Sequence, residues 1–173
     1  PVAVVRIRQL AQGSSTECGA DRRAARPSPP QEGLNGPVAE VTTEFFPGFG
    51  GARLALHRLG AGRPVVLLHG LFSSAQVNWI KFGTAAQLAA LGFECLMPDL
   101  RVHGQSAAPL DPREYPQDVL VRDAEALVAH LGLTDFDLVG FSLGSRTAAR
   151  ARLSFTPRRD SSSARLAERC FHT

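Results

Sequence analysis

The feature that most constrains the fold is a regular alternation of short apolar runs with segments of helical periodicity between residues 41 and 150. Residues 64–70 read PVVLLHG, an apolar run without polar alternation that is typical of a parallel strand buried on both faces. FECLMPDL at 93–100 and DFDLVGFS at 135–142 are two further runs of this kind. Because parallel strands are joined by helical crossovers, the alternation predicts an α/β fold with an open, mainly parallel sheet and flanking helices.

Helices are predicted between these strands. The first is indicated by apolar or small residues at spacings of three and four, followed by Gly92 at a C-cap position: Val77, Ile80, Thr84, Leu88 and Leu91. The second is predicted from Pro116 to Leu131, with Asp118 in its first turn and Gly132 after its end. Upstream, FFPGFGGARLALHRLGAG at 45–62 predicts two strands around a glycine-rich turn.

The two ends of the chain differ in composition from the part between them. Residues 1–40 are rich in Gly, Pro and Ser and are predicted to be a flexible leader, with the folded domain at 41–150. Residues 151–173 form a tail rich in Arg and Ser, and residues 145–173 together hold seven Arg and two acids. Such a basic tail could bind nucleic acid or an anionic surface. It contains no binding module and only two aromatic residues, so we expect no nucleic-acid partner.

Other classes of protein are disfavoured by simple counts. No apolar run approaches the roughly 20 residues that a membrane span needs, so we expect no membrane partner. Three scattered cysteines without C-x-x-C spacing argue against a disulfide framework or a zinc site and fit a cytoplasmic location. We expect no cofactor and no metal.

The motif with the clearest chemistry is Gly140-Phe141-Ser142-Leu143-Gly144, which lies between a predicted strand and a predicted helix. This is the G-x-S-x-G pattern of a nucleophile elbow, in which a strained turn presents the serine. Both glycines are required because a side chain at either position would collide with the neighbouring strand or helix. The alternative is a glycine-rich turn with an incidental serine, and the strand-turn-helix context favours Ser142 as the nucleophile.

A second strand end, Leu68-His69-Gly70-Leu71, supplies the other half of such a site. Acyl transfer needs two donors aimed at the developing oxyanion, usually backbone amides. We predict that the amides of Leu71 and Leu143 are these donors. The His69 side chain is either a base or a structural residue, and we favour the structural role because a base on this loop would crowd the oxyanion.

The third strand end, Asp99-Leu100-Arg101-Val102-His103-Gly104, contains an acid and a histidine that could be taken for triad members. We favour structural roles instead. Asp99 is expected to tie down the turn through Arg101 or backbone amides, and His103 is expected to shape the loop. Trp79 is expected to pack a helix on the sheet, with cavity lining as the alternative.

With these motifs together, residues 41–150 resemble the α/β-hydrolase superfamily, in particular the lid-bearing branch with esterases, epoxide hydrolases and C–C bond hydrolases. The resemblance implies that Ser142 is the nucleophile and that Leu71 and Leu143 form the oxyanion hole. It also implies hydrolysis of an ester-type or activated C–C bond in a small molecule. Serine at the elbow argues against epoxide hydrolases, which place Asp there.

The family places its acid and histidine after later strands, whereas only 31 residues follow Ser142 here. Asp160 and His172 are the only Asp and His in that stretch, and neither follows a strand-like run. We therefore expect a truncated and inactive hydrolase. The alternative is a non-enzymatic fragment that acts at most as an interaction module. We also expect self-association through the open edge of strand 135–141.

Overall fold

The computed structural model describes residues 2–8 and 40–155. Its strands are β1 (Val2–Arg8), β2 (Thr42–Pro47), β3 (Arg53–Leu59), β4 (Arg63–Leu68), β5 (Phe93–Pro98) and β6 (Asp135–Phe141). They form one open sheet in the order β1-β6-β4-β5-β3-β2. Strand β4 is parallel to both β5 and β6, and two successive antiparallel pairings give β2 the same direction. Four of the six strands thus share one direction, which confirms the predicted fold class.

Helices cover both faces of the sheet. Helices α2 (Val119–Leu131) and α3 (Leu143–Phe155) pack on one face, where they share a core with β4 and β6. Helix α1 (Thr84–Ala90) and a π-helical turn at Gln76–Ile80 pack on the other face. The four residues from Val65 to Leu68 are therefore buried on alternating sides, as an unbroken apolar run requires.

The predicted helix from Val77 to Leu91 is divided in the structure. Its first part is the π-helical turn, and α1 starts only at Thr84. Gly83 between them has φ +79°, a left-handed conformation that interrupts helical winding. The periodicity of the apolar residues was maintained across this break, so the pattern did not reveal it.

Helix α2 begins at Val119, three residues after the predicted start at Pro116. Asp118 has φ +62°, and its carboxylate accepts a 2.6 Å hydrogen bond from Arg150 of α3. Winding therefore starts only after Asp118. Helix α3 continues to Phe155, beyond the predicted domain boundary at residue 150. No helix within residues 2–8 and 40–155 is long and apolar enough to cross a membrane.

The N-terminal residues differ from the prediction of a flexible leader. Residues 2–8 form β1, which pairs antiparallel with β6 from Val2 opposite Phe141 to Arg8 opposite Asp135. Strand β6 is therefore not an edge of this sheet, contrary to the expectation of an open edge, because β1 supplies its second neighbour. Residues 9–39 and the tail from 156 to 173 lie outside the described residues, so the rest of the leader and the tail stay predictions.

Candidate functional site

The turn between β6 and α3 has the geometry of a nucleophile elbow. Ser142 is the single residue between the two elements, and its φ of +51° is left-handed, which costs a non-glycine residue about 1 to 2 kcal/mol. The Ser142 carbonyl accepts hydrogen bonds from the amides of Ser145 and Arg146 and, at 2.7 Å, from the Ser145 hydroxyl. These bonds hold the strained turn, and backbone strain of this kind clusters at functional sites.

The two glycines of the motif allow backbone segments to pack closely around the turn. A Cβ atom on Gly140 would overlap the carbonyl oxygen of Gly144. A Cβ atom on Gly144 would overlap the carbonyl oxygen of Leu68 and lie 2.8 Å from that of His69. The strand, the turn and the start of α3 therefore approach each other more closely than side chains would allow. This confirms the steric reason for the motif.

The loop after β4 lies against the elbow. A Cβ atom on Gly70 would be 3.0 Å from the Phe141 ring and 3.5 Å from the Cβ atom of Ser142. The Gly70 amide is already used, since it donates a 2.9 Å hydrogen bond to the Oδ1 atom of Asn78 in the π-helical turn. The amides of Leu71 and Leu143 have no acceptor among the described residues.

The His69 side chain is a fully buried structural residue. Its Nε2 atom accepts a 2.9 Å hydrogen bond from the Leu100 amide, so the ring proton is on Nδ1, 2.8 Å from the Gly70 carbonyl. Burial lowers the pKa of His69 below its ordinary value. A neutral imidazole with both nitrogens occupied cannot take a proton from Ser142, in agreement with the structural role that we favoured.

Asp99 at the end of β5 connects three segments. Its buried carboxylate accepts 2.8 Å hydrogen bonds from the amides of Ala75 and Gln105 and lies 3.2 Å from the Nε2 atom of His57. Burial by itself would raise the pKa of Asp99, but the hydrogen bonds from His57 and the two amides outweigh it and lower the pKa. Asp99 therefore holds loops through backbone amides, as predicted.

Arg101, the other partner that we considered for Asp99, is paired elsewhere. The buried Arg101 guanidinium instead forms two hydrogen bonds, of 3.0 and 2.8 Å, with the carboxylate of Asp123 in α2. It also donates a 2.6 Å bond to the Phe49 carbonyl. The sequence signal that we missed was an acid inside the apolar stripe of α2, between Leu120 and Leu127.

The other aromatic residues near the loops have structural positions. The His103 Nδ1 atom lies 2.9 Å from the Arg101 carbonyl, and its ring packs edge-on against that of His69 at 5.1 Å. Trp79 is buried in the core on the α1 face, as expected, and its indole N–H has no acceptor among the described residues.

Taken together, these contacts bring the His69-Gly70-Leu71 loop to Ser142. Within the described residues no histidine is hydrogen-bonded to that serine.

Comparison with known proteins agrees with this geometry. The sequence pattern of a family described as having the α/β-hydrolase fold matches residues 63–159. The bifunctional epoxide hydrolase 2 of Sus scrofa is 34% identical over 94 residues, which are 54% of this chain and 16% of that protein. N-formylmaleamate deformylase of Pseudomonas putida is 33% identical over 98 residues, 57% of this chain and 35% of that protein.

The fold is also similar to solved structures. An epoxide hydrolase mutant of Vigna radiata superposes with a TM-score of 0.60 and 26% sequence identity, over 69% of this chain and 36% of that one. The chain therefore spans between about a sixth and about a third of the length of the proteins compared here.

Proposed function

The chain belongs to the α/β-hydrolase fold family, and from this premise we propose that its site is that of a serine hydrolase acting on an ester-type or activated C–C bond of a small molecule. Ser142 is the nucleophile, and the amides of Leu71 and Leu143 are the oxyanion donors. The observation that carries the proposal is the left-handed Ser142 at a strand-to-helix turn whose flanking glycines have no room for a side chain. A turn with an incidental serine would have no reason to maintain that strain.

The chemistry of a hydroxyl nucleophile favours an acyl substrate. Attack of the Ser142 oxygen on an acyl carbon gives an ester intermediate, which water can cleave in a second step. The negative charge moves to the carbonyl oxygen during the attack, and in this proposal the amides of Leu71 and Leu143 stabilise it. The relative named a deformylase is consistent with this class of reaction.

Epoxide hydrolysis is the second candidate, since several similar proteins carry that name. Attack of a serine oxygen on an epoxide carbon would form an ether, and water does not cleave an ether under mild conditions. A carboxylate nucleophile forms an ester at the same step and is released by hydrolysis. Serine at position 142 therefore favours acyl transfer over epoxide opening.

A general base is needed to activate Ser142, because a free hydroxyl is a weak nucleophile. Within the described residues no histidine is hydrogen-bonded to Ser142, and both ring nitrogens of His57 and of His69 have other partners. We therefore propose that the 173-residue chain by itself has little or no turnover. The base and the acid that orients it would come from a further segment of the kind that the family resemblance implies.

The test compares the chain with a fusion that adds the C-terminal segment of a serine-hydrolase relative. Hydrolysis of a chromogenic short-chain ester and labelling by a fluorophosphonate are measured for both, and for the fusion with Ser142→Ala. We expect turnover and labelling in the fusion only, with both lost in Ser142→Ala. Activity that survives Ser142→Ala would refute the nucleophile, and robust turnover by the unextended chain would refute its proposed inactivity.

Two controls separate the alternatives. Hydrolysis of an aryl epoxide by the fusion and by its Ser142→Asp variant tests the second candidate, and we expect none from the serine form. A folded fusion with neither turnover nor labelling would favour the non-enzymatic interaction module. A small-molecule substrate and a cytoplasmic location remain part of this proposal.

A further inference from the structure

Strand β2 carries a hydroxyl group that is bonded to a buried imidazole. Thr43 lies directly opposite His57 in the antiparallel pair of β2 and β3. The Oγ1 atom of Thr43 is 2.8 Å from the Nδ1 atom of His57. The other ring nitrogen of His57, Nε2, is 3.2 Å from the carboxylate of Asp99 at the end of β5. Three strands therefore bring a hydroxyl, an imidazole and a carboxylate into one chain of hydrogen bonds.

The direction of these hydrogen bonds follows from the carboxylate. Burial opposes the ionisation of Asp99, but hydrogen bonds from His57 and two backbone amides outweigh it and lower the pKa of the carboxyl group. An ionised carboxylate can only accept, so in the neutral form of His57 the ring proton is on Nε2. The lone pair of Nδ1 then accepts the hydroxyl proton of Thr43. This is the arrangement in which an imidazole acts as a general base on a hydroxyl nucleophile.

The same arrangement is not found at the elbow. Within residues 2–8 and 40–155 no histidine is hydrogen-bonded to Ser142, whereas the hydroxyl of Thr43 has such a partner. Thr43 is exposed, while His57 behind it is only 4% exposed. A reagent in solution can therefore reach the hydroxyl oxygen, and the imidazole is held in a fixed orientation on its inner side.

We propose that Thr43 is a second nucleophile of this chain, which takes up an acyl group from an activated acyl donor. His57 is the general base, and Asp99 is the residue that positions it. Attack of Oγ1 on the acyl carbon forms an ester bond and breaks the bond between that carbon and the leaving oxygen. The hydroxyl proton passes to Nδ1 of His57 and from there to the leaving oxygen. An acyl-threonine and a free phenol or alcohol are the products.

The size of the base effect defines the class of donor. General-base help contributes about 10² to 10⁴ in rate, which is sufficient for an activated ester with a good leaving group but not for an amide. The two heavy atoms on the threonine Cβ crowd Oγ1, so the planar acyl carbon of an aryl ester is a better target than the tetrahedral phosphorus of a fluorophosphonate. The donor is therefore an activated ester with a small acyl group.

The acyl group should remain on Thr43. Hydrolysis of the ester would need a water molecule at Nδ1 of His57, and this side chain is almost completely enclosed. Once Oγ1 carries the acyl group, the route to Nδ1 from the Thr43 side is covered as well. We therefore expect one acyl group for each chain and no turnover, which makes this reaction a modification of the protein and independent of hydrolysis at Ser142.

The test treats the full chain with 4-nitrophenyl acetate and locates the acetyl groups by peptide fragmentation in a mass spectrometer. Thr42 is the internal control, because it is the neighbouring threonine on the same strand, is also exposed and lies opposite Arg58 rather than a histidine. We expect Thr43 to be acetylated at least about a hundredfold faster than Thr42 in the native chain, and at the same rate in urea. Equal rates in the native chain would show that the hydroxyl only satisfies the imidazole.

Two matched variants repeat the comparison through the release of 4-nitrophenolate. Thr43→Val keeps the branched shape and removes the hydroxyl, so it should lose the first equivalent of released product. Thr42→Val should retain that equivalent, and equal release from the two variants would overturn the proposal. His57→Gln should slow acetylation of Thr43 at least about a hundredfold. If His57→Gln loses its far-UV circular dichroism, the pair of valine variants decides.

The location of the label also separates this inference from the proposed hydrolase. Acetylation at Thr43 supports the second nucleophile whether or not Ser142 reacts. Acetyl groups on Ser142 or Lys81 with none on Thr43 would refute it and leave the elbow assignment untouched.

Discussion

The Oδ1 atom of Asn78 accepts a 2.9 Å hydrogen bond from the amide of Gly70, so a side chain of the π-helical turn holds the loop that packs against Ser142. The bond uses the amide of Gly70 and leaves the next amide, that of Leu71, without an acceptor among the described residues. Trp79 follows Asn78 in the turn and is buried in the core. The core therefore positions Asn78, and Asn78 positions the loop.

We expect Asn78→Leu to lower the free energy of unfolding by about 1 to 3 kcal/mol, because the Gly70 amide loses its acceptor in a partly buried place. Asn78→Asp keeps an acceptor oxygen and should lose less. Urea unfolding followed by circular dichroism measures both, with the exposed Gln76→Leu of the same turn as the control. Equal midpoints for Asn78→Leu and Gln76→Leu would contradict the positioning role.

Gly144→Ala should destabilise the fold by about 3 kcal/mol, the upper end of ordinary over-packing costs, because the new methyl group meets backbone atoms of Leu68 and His69. Gly132→Ala is the matched control. Gly132 has φ +63° but no atom within 4 Å of the added carbon, so its cost should be only the left-handed strain of about 1 to 2 kcal/mol. Thermal melts of the two variants compare the cost of the steric overlap at Gly144 with the cost of left-handed strain at Gly132.

Breaking the buried pair of Arg101 and Asp123 should cost about 3 to 5 kcal/mol in Arg101→Met, because the carboxylate is left buried without its cation. The double variant Arg101→Met/Asp123→Leu should recover much of that loss, since it removes both charges. Arg113→Met, at an exposed pair with Asp111, should change little. Chemical unfolding of the three variants tests this, and a double variant less stable than Arg101→Met would argue against it.

Stability should fall as the pH drops below about 6.5, the ordinary pKa of histidine. Burial lowers the pKa of His69 in the folded chain, so below that pH the unfolded chain binds more protons and is favoured. Asp99 also has a lowered pKa, but its contribution is present above its ordinary value of 3.8 and is lost only on further acidification. The free energy of unfolding, measured between about pH 7.5 and pH 5, therefore reports the contribution of histidine protonation. The slope should be smaller in His69→Asn than in the unsubstituted chain.

Cys95 should resist alkylation in the native chain. Burial raises the pKa of its thiol to about 11, so the reactive thiolate is scarce at about pH 8, and the side chain is also inaccessible. Mass spectrometry of the peptide that contains Cys95 should show iodoacetamide modification only after denaturation. Rapid modification under native conditions would indicate that the sheet opens around β5.

The elbow could be predicted from the sequence because its requirements are local. A tight turn between a strand and a helix needs glycines two residues to either side of Ser142, and the same five residues then carry the strain and the close packing. The buried strands could also be predicted from the sequence, because burial on both faces requires an apolar run. The interruption of the predicted helix at Gly83 could not be predicted, since the spacing of apolar residues continues through it.

The pairings of polar residues could not be predicted in the same way. Asn78 is eight residues from Gly70, and Asp123 is 22 residues from Arg101. At such separations the sequence offers each residue several possible hydrogen-bond partners and does not choose among them. Asp99 is the example: Arg101 and backbone amides were both candidates, and the carboxylate is satisfied by His57 and by the amides of Ala75 and Gln105. Only packing of the helices on the sheet selects among such partners.

The sequence by itself determined the α/β class, the strand ends that meet, and Ser142 with its glycines, because periodicity and steric demand act over a few residues. The tertiary structure alone decided that residues 2–8 join the sheet beside β6 and that His69 is neutral and enclosed. The physical reason is distance along the chain. Val2 and Phe141 are 139 residues apart, and a strand edge accepts any suitable strand that the rest of the fold allows to reach it.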